Sequence, residues 1–310
     1  MWRSIALVAL GILLVSMVLF WLYAERWRPL RPSTWAFLRK AGWRGALNLG
    51  AVHAYVYGRW TKQYLNLLTN RVFPRLSAAG RNRWADRYHG KVLTHDQARA
   101  IVTLNREIPR RDLEQIIPYA TARDLVLKGP PEVAVFPCGC RQRRTNPCQP
   151  IQVCMVIGQP FVDFVQEHHP KTSRRLSQVE AVELLEAEHR RGHLHSAWFK
   201  DVLLGRFYAI CNCCKCCCGG IEAMRKYGVP MVASSGYVAH VDQTACTACG
   251  ACEDKCPFGA IRMNGTATVS RQTCMGCGVC AGQCPAQAIG LVRDEEKGTP
   301  FDVRLLDSRR

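Results

Sequence analysis

Cysteine is absent from the first 137 residues of this 310-residue chain, whereas 18 cysteines crowd into the remainder. Disulfide frameworks belong mainly to small secreted domains, so this length and this uneven distribution argue against one. Wholesale disorder is also excluded, because 48% of the residues are apolar and only 21% are charged. The cysteines therefore indicate thiolates that bind metal ions.

The chain also lacks the usual signatures of a self-contained enzyme. It has no specific glycine-rich nucleotide loop and no recognisable arrangement of serine, histidine and aspartate. Flavin or nicotinamide chemistry would therefore require a partner protein.

Charged residues are missing from positions 5–23, a run of 19 mostly apolar residues. As a helix this run would be about 28 Å long, which matches the hydrocarbon core of a bilayer. A cleaved signal peptide is the competing interpretation, but the run ends in Trp21, Leu22 and Tyr23 rather than in a small-residue cleavage site. We therefore predict a membrane anchor over residues 1–24.

Flanking charge predicts the orientation of this anchor. Arg3 alone precedes the apolar run, whereas six cations follow it between positions 26 and 44. Because loops rich in Lys and Arg stay in the cytoplasm, we expect a single-pass protein of the cell inner membrane whose remaining chain faces the cytoplasm.

Acidic residues are scarce between positions 24 and 95, where 14 Lys and Arg are opposed only by Glu25 and Asp86. Beside a membrane anchor, attraction to anionic lipid explains such an excess, at about 1 kcal/mol per cation near the surface. Interleaved tryptophans fit a segment that lies on the membrane interface. We predict that residues 25–93 form a basic interfacial segment in contact with anionic membrane lipid. A plain solvated surface is the alternative, and no nucleic acid is expected as a partner.

Two helix-start signals lie in the middle of the chain. Thr94 and Gln97, and again Ser177 and Glu180, have the spacing of a capping box. With no strong strand pattern beside them, residues 94–235 are predicted to form a mainly helical, cysteine-rich domain.

Further helices are expected over residues 112–117 and 122–128, ahead of a Gly-Pro-Pro stop. The second capped helix is expected to end near Gly192, with Val179 and Leu185 facing inward. We interpret these helices as scaffold.

The C-terminal part repeats one cysteine pattern, C-x2-C-x2-C-x3-C-P, with an offset of 28 residues. The first copy contains Cys246, Cys249, Cys252 and Cys256, and the second contains Cys274, Cys277, Cys280 and Cys284. The short spacings let three thiolates of one copy bind three irons of a cubane, while the fourth cysteine reaches the other cluster. We therefore predict that Cys284 completes the first site and Cys256 the second.

Asn264 and Gly265 predict a tight hairpin between the two copies. Over residues 236–293 the chain resembles the bacterial-type ferredoxin with two [4Fe-4S] clusters. The resemblance implies a duplicated βαβ domain that holds two such clusters, and it leaves residues 294–310 as a C-terminal tail. Structural zinc is the alternative, although zinc sites rarely use two interlocked copies of this pattern.

Ten further cysteines lie between positions 138 and 218 in two groups. The first group is Cys138, Cys140, Cys148 and Cys154, and the second is Cys211, Cys213, Cys214, Cys216, Cys217 and Cys218. If the second group is extended, its side chains alternate, with Cys211, Cys213 and Cys217 on one face and the other three opposite.

Four arrangements remain open for these ten thiols: two further clusters with two spare thiols, one larger linked cluster, a single cluster with free thiols, or zinc. Arg141 and Lys215 are predicted to hydrogen-bond cluster sulfur or to balance thiolate charge. His193 and His195 precede the second group and are expected to pack rather than to bind metal.

The motif C-x-C-R at Cys138 and the motif C-N-C-C-x-C-C-C at Cys211 are similar to those of a family of membrane-anchored bacterial 4Fe-4S proteins. The resemblance covers residues 94–293. It implies iron–sulfur electron transfer, with one or two clusters in the middle domain beside the two of the ferredoxin domain.

The sequence therefore predicts an α+β protein with a transmembrane helix, a mainly helical middle domain and a ferredoxin domain. We expect a membrane-tethered electron carrier, or the electron-transfer subunit of an oxidoreductase. It would pass single electrons from a membrane or soluble donor to redox partner proteins. The alternative is a reductase whose middle cluster acts on a substrate such as a disulfide.

Overall fold

The computed structural model describes residues 2–46, 49–105, 108–110, 125–127, 130–203 and 206–305. The α-helices are α1 (Trp2–Ala24), α2 (Pro32–Ala46), α3 (Leu49–Arg59), α4 (Thr61–Leu67), α5 (Ala78–Arg87), α6 (His95–Val102), α7 (Gly139–Gln142), α8 (Phe161–His168), α9 (Gln178–Arg190), α10 (Gly219–Tyr227), α11 (Ala251–Lys255) and α12 (Val279–Gly282). The β-strands are β1 (Tyr88–Leu93), β2 (Ile108–Arg110), β3 (Leu125–Leu127), β4 (Val133–Pro137), β5 (Gln152–Ile157), β6 (Arg174–Leu176), β7 (Leu194–Lys200), β8 (Arg206–Cys213), β9 (Val232–Ala233), β10 (Tyr237–Val241), β11 (Ile261–Asn264), β12 (Thr266–Val269) and β13 (Ile289–Arg293).

Helix α1 is apolar along its length and packs little against the rest of the chain. Its stretch Ile5–Ala24 has a mean hydropathy of 2.8, and most of the side chains are exposed. In the described part of the chain, α1 is the one helix long and apolar enough to cross a membrane, a criterion that signal sequences also meet. At its end the buried Glu25 accepts a hydrogen bond from the Thr34 hydroxyl at 2.9 Å, which fixes α1 to α2.

Seven strands form the central sheet, in the order β6-β4-β5-β8-β7-β1-β9. Neighbouring strands are antiparallel except β1 and β9, which run parallel. The prediction of a mainly helical middle domain is therefore wrong. The strands escaped sequence analysis because β5 and β7 are buried on both faces, so that apolar and polar residues do not alternate along them.

The two capping boxes are confirmed. The Thr94 hydroxyl accepts a hydrogen bond from the Gln97 backbone N–H at the start of α6. Ser177 and Glu180 form the same arrangement at the start of α9. Each cap satisfies backbone donors that the first helical turn leaves unpaired, so these sequences begin helices whatever they pack against.

The other helix predictions have mixed outcomes. On α9, Leu185 is buried as predicted, but Val179 is exposed. Gly192, with a φ of 78°, follows the end of this helix. The helix expected over 122–128 is wrong where the structure describes it, because β3 pairs there with β2. The helix expected over 112–117 lies outside the described residues.

Helices α3 and α4 pack into the same core as the sheet. Tyr57 and Tyr64 are buried there beside Tyr88 of β1, and β1 pairs with β7 along all its residues. A domain boundary after residue 93 would divide this sheet, so the predicted boundary between residues 93 and 94 is corrected.

The predicted interfacial segment, residues 25–93, nevertheless has eight exposed cations: Arg28, Arg39, Lys40, Lys62, Arg71, Arg75, Arg83 and Arg87.

The C-terminal part contains two antiparallel ribbons, β10 with β13 and β11 with β12. The hairpin predicted at Asn264 and Gly265 joins β11 to β12, and Gly265 has a φ of 74° that favours glycine. In chain order, each copy of the cysteine pattern lies between two strands and includes one short helix, α11 or α12.

The segment that follows β13 belongs to the core. Phe301 and Val303 are fully buried, and Phe301 contacts Phe199 and Phe207 of the central sheet. The tail expected over 294–310 is therefore a packed segment as far as residue 305, where the description ends.

Candidate metal centres

Two small cavities in the C-terminal part are lined by thiols, and each has a volume of about 20 Å³. The first repeat site is lined by Cys246, Cys249, Cys252 and Cys284. The second repeat site is lined by Cys256, Cys274, Cys277 and Cys280. The structure therefore brings three cysteines of one copy together with the last cysteine of the other copy at both sites.

Backbone N–H groups point at sulfur in both repeat sites. Ala288 donates to Cys284 Sγ at 3.3 Å, and Ala260 donates to Cys256 Sγ at 3.2 Å. Such hydrogen bonds favour the ionised sulfur that binds iron. Burial raises the pKa of Cys280 to about 12, so a metal cation is needed to hold this sulfur as a thiolate.

Four of the ten middle cysteines form a compact group at the end of β8. Their sulfur atoms all lie within 4.8 Å of one another. This four-thiol site consists of Cys148, Cys214, Cys216 and Cys217. Its closest pair is Cys148 and Cys216, with 2.9 Å between sulfur atoms, and Cys216 is exposed. Four convergent thiols near the surface fit a metal centre that can exchange electrons with a partner.

The remaining six middle cysteines surround a buried cavity behind the four-thiol site. This six-thiol cage consists of Cys138, Cys140, Cys154, Cys211, Cys213 and Cys218, and Cys214 of the four-thiol site also lines the cavity. The Cys213 and Cys218 sulfur atoms are 3.3 Å apart, and the Gly219 backbone N–H donates to Cys140 Sγ at 3.3 Å. The cage therefore already offers one N–H···S hydrogen bond of the kind that stabilises a bound thiolate.

The predicted alternation along residues 211–218 is wrong for Cys217 and Cys218. Strand β8 ends at Cys213, a turn follows, and Cys218 caps the start of α10. The turn sends Cys217 to the four-thiol site and Cys218 to the cage, the reverse of an extended chain. The other four cysteines separate as alternation predicts.

Arg141 is fully buried between the cage and the four-thiol site. Its guanidinium donates to Glu188 Oε2 at 2.9 Å and to the Asn212 carbonyl at 3.1 Å, and it lies 3.1 Å from His193 Nδ1, which itself donates to Glu188. The negative thiolate of Cys214 raises the pKa of Arg141, although burial acts in the opposite direction. Its hydrogen bonds thus go to oxygen atoms, while its charge acts on sulfur through space.

Lys215 ties the four-thiol site to the C-terminal part. Its ammonium donates to the Asp254 carbonyl of α11 at 2.8 Å, and Asp254 lies between Cys252 and Cys256 in the chain. Gln283 beside α12 donates to the Arg190 carbonyl at 3.1 Å. These contacts hold the repeat sites against the cysteine-rich sheet.

Sequence analysis missed a cluster of three histidines: His95, His189 and His195, whose ring nitrogens all lie within 4.8 Å. Nδ1 of His195 is 2.7 Å from Asn212 Oδ1. Asn212 lies in β8 between Cys211 and Cys213, two cysteines of the cage. Burial lowers the pKa of His195 to about 3, so this ring is neutral at physiological pH. Because the three rings come from α6, α9 and β7, no local spacing reveals the cluster. His193, in contrast, packs on Glu188 at 2.7 Å.

Comparison with known proteins agrees with the chemistry of the first repeat site. A family model described as a 4Fe-4S binding domain matches residues 239–262, a stretch that contains all four cysteines of the first copy. No curated protein matches the chain. The C-terminal part of this protein thus carries a 4Fe-4S binding domain.

Proposed function

We propose that this protein is a membrane-tethered relay that carries single electrons through several iron–sulfur clusters. The observation that carries the proposal is the grouping of all 18 cysteines into four sites, with none left over. Thiols packed this closely repel one another as thiolates unless metal cations neutralise them. Iron supplies the one-electron chemistry, and the protein sets the position and potential of each cluster.

Each repeat site would hold one [4Fe-4S] cluster, ligated by three cysteines of one copy and the last cysteine of the other. This crossed set rests on the two thiol-lined cavities and on the match to a 4Fe-4S binding domain. Four thiolates per cubane are what such a cluster requires.

The four-thiol site would hold a third [4Fe-4S] cluster, and the cage holds iron and sulfide as well. The two middle sites adjoin directly, because Cys213 and Cys214 are consecutive and so are Cys217 and Cys218. The second repeat site shares an apolar cluster with the cage through Cys277 and Cys218. Electrons could therefore pass between all four sites without leaving the protein.

Membrane tethering is the second part of the proposal. Helix α1 has the length and apolar character of a membrane span, and exposed Arg and Lys follow it. The excess of cations on the C-terminal side of α1 supports an anchor in the inner membrane, with the clusters in the cytoplasm and the basic surface on anionic lipid. Redox proteins would then exchange electrons at the exposed four-thiol site or at the repeat sites.

The crossed ligand sets are tested by single alanine substitutions in the repeats. Cys256→Ala should change the same electron paramagnetic resonance signal as Cys277→Ala, because both residues line the second repeat site. Cys284→Ala should instead match Cys252→Ala. The crossed assignment is wrong if Cys256→Ala reproduces the spectrum of Cys252→Ala.

Membrane tethering is tested by deleting residues 2–24. The shortened protein should leave the membrane fraction but still bind anionic vesicles, with binding that weakens as salt rises. A further double change, Arg39→Glu with Lys62→Glu, should weaken this vesicle binding. Equal binding to neutral and anionic vesicles would contradict the basic surface, and a mature N-terminus near Glu25 would show that α1 is a signal sequence.

A further inference from the structure

The six thiols of the cage form a closed ring rather than a loose group. Neighbouring thiols are in hydrogen-bonding contact in the order Cys138, Cys140, Cys218, Cys213, Cys211, Cys154 and back to Cys138. Every thiol has two neighbours in this ring, so none of the six stands apart as a spare.

The ring divides into two arcs of three thiols that come from different parts of the fold. Cys138 precedes α7, Cys140 lies in α7, and Cys154 lies in β5. Cys211, Cys213 and Cys218 come from β8 and the start of α10. A single cubane uses four thiolates, one per iron, and would leave two buried thiols beside it without iron. Three thiolates in each arc match a cluster of two four-iron halves better than they match a single cubane.

The cavity beside the cage is larger than either repeat site. It has about 60 Å³, against roughly 20 Å³ for each repeat site, and apolar side chains such as Leu65 and Trp198 line it together with the thiols.

Two buried guanidinium groups lie beside the cage. Arg141 lines its cavity and is paired with Glu188 at 2.9 Å. Arg143 is nearly buried as well and is paired with Glu222. Each of these charges therefore has a carboxylate partner, so the two arginines hold the elements around the cage in place without leaving a buried charge unpaired.

We propose that the six-thiol cage binds one eight-iron cluster. Each four-iron half is held by the three thiolates of one arc, and the fourth iron of each half is joined to its counterpart through bridging sulfur. This inference rests on the proposed iron–sulfur function and specifies the cofactor of its central site.

The test uses the full-length protein, purified without oxygen and loaded with ⁵⁷Fe. Cys140→Ser and Cys213→Ser, one from each arc, should remove the same Mössbauer component and about eight iron atoms each. Cys216→Ser in the four-thiol site is the matched control and should cost about four. A loss of about four irons from the cage variants, or loss of different components by the two, would overturn the eight-iron cluster.

The unaltered protein provides a second readout in case a cage variant fails to fold. The cage component should have about the same Mössbauer area as the two repeat-site clusters together. Half that area means that the cage holds a single cubane. Zinc in place of iron at every site would instead overturn the proposed function itself.

A second, independent inference concerns an apolar cavity of about 250 Å³ between the end of α1 and the cage. Trp21 of α1 lines it, together with Phe37 and Phe164. Tyr57 and Tyr208 line both this cavity and the cage cavity, so only one layer of side chains separates the two. An occupant would lie between the proposed membrane anchor and the central cluster.

Thr34 provides a polar group with a buried carboxylate partner in the wall of this cavity. The Thr34 hydroxyl lines it and donates to Glu25 Oε1 at 2.9 Å. Thr34 Oγ1 also lies 3.2 Å from Nε2 of His168, and both Glu25 and His168 are buried. This arrangement offers a path for a proton at one end of an otherwise apolar space.

From this cavity we infer a binding site for a membrane quinone. A quinone has a flat apolar ring with two polar oxygens and reaches a protein through the bilayer. The cavity has an apolar lining, a hydroxyl at Thr34 and a position next to the end of the proposed membrane anchor. In the oxidising direction, a quinol gives up two electrons, one at a time, to the neighbouring cluster. The proton of one ring oxygen passes through Thr34 to Glu25, the proton of the other leaves to water where the cavity reaches the surface at Val52, and the quinone is formed. The reverse reaction reduces the quinone.

The test follows reoxidation of the dithionite-reduced, full-length protein by decylubiquinone. Ala51→Phe, which fills the cavity from α3, should slow this reaction by at least about tenfold. Leu49→Phe on the same helix is the control, because Leu49 is 88% exposed and does not line the cavity. Reoxidation by ferricyanide should be unchanged in both variants.

Equal rates with decylubiquinone in the two variants would overturn the quinone site. Glu25→Gln gives a second check, since it should slow the quinone reaction at an unchanged iron content. If quinone fails but ferricyanide still reoxidises the clusters, the electron relay stands and only the quinone site is lost.

Discussion

The repulsion between thiolates is the constraint on which this structure depends. Ten thiols meet in the cage and the four-thiol site, and eight more meet in the repeat sites. In the cage, hydrogen bonds from neighbouring thiols raise the pKa of Cys138 and lower that of Cys140, so the ring shares protons rather than holding six thiolates. Metal cations would remove this conflict, and the proposed metal binding would then be coupled to folding of β4, β5, β8 and α10.

The central sheet positions the candidate metal centres relative to one another. Strand β8 carries Cys211 and Cys213 into the cage, and the turn that follows carries Cys214 to the neighbouring site. Lys215 then fastens the turn to α11 in the C-terminal part. On the opposite side, Tyr57 and Tyr208 separate the cage from the apolar cavity near α1. The candidate centres thus form a continuous series from the end of the apolar helix to the repeat sites.

Local sequence signals predicted the features that depend on local chemistry. The capping boxes at Thr94 and Ser177 and the turn at Gly265 each involve a few consecutive residues, and all three are present. The crossed pairing that brings Cys284 to the first copy followed from the repeat spacing, and the cavities contain those cysteines.

Features that depend on tertiary packing were not predictable in the same way. Strand β7 is buried on both faces, so it lacks the alternation that marks a strand in sequence. The histidine cluster joins three separate elements, and Phe301 packs against β7 and β8 across a long separation in the chain. The exchange of Cys217 and Cys218 between sites depends on the turn over residues 215–217, because side chains alternate between faces only where the chain stays extended.

The central claim is that the middle thiols hold iron–sulfur clusters that exchange electrons. An anaerobic coulometric titration of the full-length protein, which counts the electrons taken up reversibly per chain, tests it most directly. Two ferredoxin-type clusters alone accept about two electrons, one each. The account predicts a clearly larger uptake, with the additional electrons assigned to iron in the middle domain. An uptake of about two electrons, with zinc or no metal at the middle thiols, would contradict it.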